Sequence, residues 1–185
     1  RRDAILGAEV ARIQTIEDRE DKQAAAKELE RVKYGYDYNL KKIDAFKDII
    51  NLQKEIGLTP KTGLYGQLRE AVHNVETILD ANNEDALLVI MLQLRRNEKD
   101  FMLRSDLKYN DTFKENIAKF KQAVNSSYLS SDVKSQLQSN IDQYQKDFQA
   151  LVSKREEFGL SESSGKMKQL RDAIYQTDTD REVLN

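Results

Sequence analysis

A single proline, Pro60, and seven glycines among 185 residues leave this chain very few places at which to reverse direction. Sheet architectures built from short strands need turn chemistry about every 8–12 residues. Here the turn residues instead separate long stretches in which apolar side chains recur at steps of three and four, the signature of one helical face. The expected fold class is all-α.

The first stripe runs Leu29, Val32, Tyr36, Leu40, Ile43, Phe46, Ile50 and closes at Gly57, a natural helix stop. Ile5, Val10, Ile13 and Ile16 carry apolar residues back toward the N-terminus across the charged run Glu17 to Asp21. If that helix is continuous it is about 80 Å long, at about 1.5 Å per residue. Thr59-Pro60 reads as a capping hydroxyl and a first-turn proline ahead of a second helix marked by Leu64, Leu68, Val72, Val75 and Leu79, which Asp80 to Asn83 breaks. A third helix is expected from Glu84 to near Tyr109. Asp111 is placed to cap a fourth, with Phe113, Ile117, Phe120 and Val124 inward. The cleanest stripe, Val133, Leu137, Ile141, Tyr144, Phe148 and Leu151, has a spacing near 3.5 residues, suited to nearly parallel bundle packing. Gly159 closes that fifth helix, and Met167, Leu170 and Ile174 begin a last one.

The first and fifth helices end in the same punctuation 102 residues apart. Phe46 matches Phe148, Gly57-Leu58 matches Gly159-Leu160, Gly63 matches Gly165, and Leu68-Arg69-Glu70-Ala71-Val72 matches Leu170-Arg171-Asp172-Ala173-Ile174. A register shared across about 30 positions points to internal repetition. The chain therefore reads as one helical module, 1–185, built from two related repeats, approximately 29–82 and 130–183, joined by the helices of 84–127. The architecture expected is an elongated up-down bundle of two stacked four-helix-type units sharing long helices.

Thirty basic residues against 32 acidic leave a net charge of −2, without the one-signed field on which nucleic-acid binding depends. The absence of cysteine removes disulfides, thiolate metal sites and a cysteine nucleophile, and says nothing of compartment. The longest apolar run, Ala86 to Leu92, is far below the roughly 20 residues of a membrane-spanning helix. No nucleophile elbow, phosphate-cradling glycine loop or metal-ligand spacing occurs, so neither catalysis nor a metal or cofactor is expected.

Charge placement is more informative. In the third helix Leu87, Met91, Leu94, Glu98 and Phe101 share one row; Leu88, Leu92, Arg95, Lys99 and Met102 the next; Val89, Leu92, Arg96, Asp100 and Leu103 a third. Charges flanked by apolar side chains are costly to bury unless paired. One reading is an internal ladder, Arg96 with Asp100 and Arg95 with Glu98, that fixes register. The other is that guanidinium forks turn toward a pocket between helices, where they match the two oxygens of a carboxylate. Arg69, His73 and Glu76 stand on adjacent turns of the second helix, beside its apolar stripe, and are placed to face the same pocket. The candidate ligand-binding set is Arg95, Arg96, Lys99, Arg69 and His73.

The stretch from Met91 to Tyr109, with Arg95-Arg96-Asn97-Glu98-Lys99-Asp100-Phe101 at its centre, resembles the signature of the helical bimodular sensor domain of bacterial chemotaxis receptors and related sensor kinases. The segment from Gly63 to Glu76, with Leu68-Arg69-Glu70-Ala71-Val72-His73, looks like a second block of that family. The resemblance implies a periplasmic domain of an inner-membrane receptor, two stacked four-helix bundles, a homodimer, and pockets for small organic acids. Any membrane attachment would run through flanking helices outside this chain. The second repeat departs at Tyr175, where the first has His73. A helical dimerisation or partner-docking module of a sensor kinase is the alternative reading.

Overall fold

The computed structural model describes the backbone of residues 2–16 and 19–183, with side chains as far as residue 176, and those residues form helices and turns without strands. In chain order the helices are α1 (Arg2–Gln14), α2 (Arg19–Ile56), α3 (Gly63–Ala81), α4 (Asp85–Arg104), α5 (Lys108–Ser126), α6 (Ser131–Phe158) and α7 (Gly165–Val183). The chain is all-α, as its spacing predicts. It divides into two units, Arg1–Phe46 with Asp172–Asn185, and Lys47–Arg171.

The Lys47–Arg171 unit contains a four-helix bundle. α3 packs on α4 and α6, and α5 on the same two, so the four close around one core. Links of a few residues join successive helices, as an up-down topology requires. The stripes expected to face inward do so: Phe113, Ile117, Phe120 and Val124 from α5, and Leu137, Ile141, Tyr144, Phe148 and Leu151 from α6, are all at most 2% exposed. Leu68, Val75 and Leu79 from α3 and Leu87, Met91, Leu94 and Phe101 from α4 complete the core. Three polar pairs cross it: Asn116 Nδ2 donates to Asn97 Oδ1 at 2.8 Å, Gln149 Nε2 to Asn110 Oδ1 at 2.8 Å, and the Tyr144 hydroxyl to Glu98 Oε2 at 2.6 Å. A buried polar group left unmatched costs its desolvation, so these pairs penalise slipped registers of α4, α5 and α6.

The other unit holds α1, the first part of α2 and the last part of α7. Here the structure corrects the single long N-terminal helix. The chain leaves helical geometry at Thr15, where Thr15 and Ile16 bond back three residues to Arg12 and Ile13. No apolar residue between Ile16 and Ala24 supplies a stripe to carry the helix through. α2, at 38 residues, is about 57 Å long. Of its stripe, Leu29 is buried, while Val32, Tyr36, Ile43 and Phe46 are each about half exposed. Tyr34, two residues before Tyr36, is likewise exposed. Within this unit Arg2 pairs with Asp37 and lies 4.6 Å from the centre of the Tyr36 ring, and the Tyr38 hydroxyl donates to the Ala173 carbonyl.

Three boundaries differ from the sequence reading. Pro60 lies in the turn before α3, and Thr62 stands at the cap position instead. α4 stops at Arg104, because Ser105 turns left-handed (φ 52°). Asp111 falls inside the first turn of α5, and Asp106 accepts the Lys108 amide at 3.0 Å.

The two turns matched in the sequence share their geometry. Gly57 and Gly159 have φ of 128° and 122°, and Gly63 and Gly165 of 58° and 57°. The Thr59 amide donates to Thr62 Oγ1 at 3.0 Å, and the Ser161 amide to Ser164 Oγ at 3.0 Å. A methyl group at Gly57 would stand 2.3 Å from the Thr62 carbonyl oxygen, and one at Gly159 2.4 Å from that of Ser164. Gly57→Ala and Gly159→Ala are therefore each expected to cost about 1–3 kcal/mol, by similar amounts, in urea titrations. A neutral result at one turn and a loss at the other would deny their equivalence.

Candidate functional site

A cavity of about 920 Å³ opens in the Lys47–Arg171 unit, between the α2–α3 turn, α3 and α4. That is within the range of small-molecule sites, about 300–1,000 Å³. The turn supplies residues 57–61, α3 supplies Tyr65, Arg69, Glu70, Val72, His73 and Glu76, and α4 supplies Arg95, Glu98, Lys99 and Met102. Helical periodicity explains the grouping. Arg69, His73 and Glu76 follow at steps of four and three beside the core row Leu68, Val72, Val75 and Leu79; Arg95, Glu98, Lys99 and Met102 occupy two adjoining rows of α4. The antiparallel α3–α4 pair then turns both sets toward the same space.

Four of the five residues singled out in the sequence, Arg69, His73, Arg95 and Lys99, line this cavity. Arg96 does not. One position round the helix from Arg95, its side chain is 84% exposed and pairs with Asp100 at 3.7 Å, on the row with the exposed Val89, Leu92 and Leu103. Of the two pairs in the internal-ladder reading, Arg96 with Asp100 forms, but on the exposed face of α4 and not inside the bundle. Arg95 crosses to α3 instead, its Nη1 donating to Glu76 Oε1 at 2.8 Å.

The cavity wall carries more positive charge than it compensates. Arg95 is matched by Glu76, but among the described residues no carboxylate lies within 4.0 Å of the charged ends of Lys61, Arg69 or Lys99. Counting Lys61, Arg69, Arg95 and Lys99 against Glu70, Glu76 and Glu98 leaves an excess of one positive charge with all three acids ionised. Leu58, Tyr65, Val72 and Met102 add apolar surface.

Lys61 and Glu98 are wall residues that the sequence analysis left out of the binding set. Lys61 lies in a turn, where no periodicity reports direction. Glu98 carried a signal, its place in the Leu87-Met91-Leu94-Phe101 row, which puts it against the core at 9% exposure. Burial pushes its carboxyl above the usual range, while the Tyr144 hydrogen bond and the charges of Lys99 and Arg95 pull the other way. Burial and the Glu98 carboxylate in turn push the Tyr144 hydroxyl well up, so it stays a donor.

Because the folded-state value of Glu98 is raised, folding favours its protonated form. The associated stability is full below the ordinary glutamic acid range and is lost as pH rises through the raised value. Over that window the urea midpoint of the wild type is expected to fall with pH relative to that of Glu98→Gln, which keeps an acceptor for Tyr144. Parallel profiles would contradict this.

No group of three or more His, Cys, Asp or Glu side chains is arranged to hold a metal ion, and no helix is long and apolar enough to cross a membrane, among the described residues. What the fold and cavity define is a helical-bundle protein with a cleft lined by both charges, with a small excess of cations. Comparison with protein-family models, curated proteins and solved structures finds no match.

Proposed function

We propose that this chain is a ligand-binding sensor module that takes a small organic anion, a carboxylate, into the cleft between α3 and α4. The observation that carries the reading is that Lys61, Arg69 and Lys99 share one cavity wall without a carboxylate partner. A carboxylate held by a guanidinium gains two parallel charge-assisted hydrogen bonds. The likeness of the 63–76 and 91–109 segments to a receptor sensor domain supports an extracytoplasmic setting in a transmembrane chemotaxis receptor. Ligand binding there would displace α3 against α4 and signal through the helices. Calorimetry with acetate, succinate and citrate, and with uncharged succinamide, tests the binding: at least one acid binds and succinamide does not. Binding of none, or of succinamide as tightly as succinate, overturns it.

The exposed α2 stripe favours a second reading, a dimerisation module in which a second copy covers Val32, Tyr36, Ile43 and Phe46. An apolar stripe along one helix is self-complementary under a twofold axis, and the near balance of charge leaves little repulsion to oppose pairing. Under that reading alone, analytical ultracentrifugation finds a dimer that Ile43→Asp dissociates while the acid panel gives no heat.

A further inference from the structure

The anion-binding reading gives Glu98 no role, although it lines the cleft. Its surroundings can be named helix by helix. On α4, Arg95 is committed to Glu76, and Lys99 lies one position on; neither comes within 4.0 Å of the Glu98 carboxylate. On α3, Arg69, His73 and Glu76 face the same cavity. On α6, Tyr144 donates its hydroxyl to Oε2 at 2.6 Å. From α5 no titratable group is among the charges that act on it. Glu98 is thus a buried acid with a neutral donor on one side and an anion-binding cleft on the other.

We propose that the cleft takes up its organic anion together with one proton, and that Glu98 receives the proton. This rests on the anion-binding reading and adds the regulation of that same site by pH. A carboxylate settling against Arg69 and Lys99 adds a further negative charge to the wall that holds Glu98, beside Glu70 and Glu76, and displaces water from it. Both changes favour the neutral acid over the carboxylate. The raised affinity of the buried carboxyl for a proton, already present in the empty cleft, acts in the same direction. The balance is simple: a solvent proton adds to the Glu98 carboxylate, giving the carboxylic acid, and no bond in the ligand is made or broken. Tyr144 continues to donate to one oxygen, and the new O–H becomes a donor on the cleft wall. Affinity then rises as pH falls, by at most about tenfold per pH unit for one coupled proton, and levels off once Glu98 is protonated in the empty cleft.

Succinate and citrate are the probes, titrated calorimetrically between about pH 5.5 and about pH 8.5, near and above the range in which carboxyl and imidazole groups titrate. Each titration is repeated in two buffers that differ in ionisation enthalpy and carry no anionic group, bis-Tris and imidazole in the lower half of the range and Tris and triethanolamine in the upper half. The expected result is an apparent heat that depends on the buffer, corresponding to uptake of up to one proton. Glu98→Gln removes that dependence and holds high-pH binding near its low-pH strength. Tyr144→Phe, which deletes the hydrogen bond to the carboxylate, moves the window of uptake to higher pH and keeps the proposal testable if the glutamine variant folds poorly. His73→Gln separates the other candidate, the only imidazole in the chain. Binding with the same heat in both buffers throughout overturns the proposal and leaves the anion site standing. Uptake that survives Glu98→Gln, whether it then vanishes in His73→Gln or is carried by a carboxyl of the ligand, also overturns it. Failure of both acids to bind at any pH removes the site and the proposal together.

Discussion

Replacing Phe113 by alanine is expected to lower the unfolding free energy by about 3–5 kcal/mol, the usual range for emptying a buried aromatic site. Phe113 is fully buried on α5. Its ring lies 5.2 Å from that of Tyr144, edge on, and 4.1 Å from that of Phe148, which itself stands 5.7 Å from Phe101. The side chain therefore ties α5 to α6, and Phe148 carries the cluster on to Phe101 of α4. Collapse around the vacancy is restricted, because Tyr144 is held by Glu98 at one end and the Asn116–Asn97 pair fixes α5 against α4. The loss should appear as a lower urea midpoint with an unchanged slope. The repeat supplies an internal control. Phe148 and Phe46 occupy matching positions, yet Phe148 is fully buried and Phe46 is 54% exposed. Phe148→Ala should cost nearly as much as Phe113→Ala, and Phe46→Ala in the monomer about 1 kcal/mol or less. A cost below about 1 kcal/mol at Phe113 would contradict the aromatic cluster.

Truncating the uncommitted cations is expected to have the largest effect on binding. Hydrogen bonds to charged groups contribute about 1.5–3 kcal/mol, so Arg69→Ala should weaken a bound carboxylate by about 10- to 100-fold. Lys99→Ala, removing a point charge in place of a planar fork, should weaken it less. Neither change strands a partner, since neither side chain is ion-paired, so the urea midpoint should hardly move. Arg95→Ala differs in kind: it leaves Glu76 without its 2.8 Å partner and should lower stability as well as affinity. Arg96→Ala should leave affinity unchanged, because that side chain points away from the cleft. Calorimetry with the tightest-binding acid of the panel reads all four. Equal losses at Arg96 and Arg69 would mean that only net charge matters and that the cleft does not select.

Much of this was legible in the chain, for identifiable reasons. The α5 and α6 stripes could be read because a fully covered face leaves an unbroken 3–4 spacing in the sequence. The α2 stripe has the same spacing, yet Val32, Tyr36, Ile43 and Phe46 are exposed. Periodicity reports that a face is apolar; it does not report what covers it. Four of the five candidate residues line the cleft, because charges flanked by apolar positions mark a helix face at the bundle surface. Arg96 lies outside the cleft although spacing groups it with Arg95, because adjacent residues lie about 100° apart on a helix of 3.6 residues per turn and both arginines adjoin apolar rows. The partners of Arg95 and Glu98 lie on α3 and α6, beyond any spacing rule within α4. Lys61 was hidden in a turn whose direction depends on Gly57 and the Thr59–Thr62 bonds.

The claim on which the rest depends is that the cleft between α3 and α4 is where this chain meets a small anion. Titrating the uniformly nitrogen-15-labelled chain with succinate and with citrate, and following its backbone amides by nuclear magnetic resonance, tests that claim directly. The predicted result is saturable shifts concentrated in residues 57–76 and 95–102 and abolished by Arg69→Ala with Lys99→Ala. Shifts absent with both acids, or centred on 32–46 of α2, would contradict it.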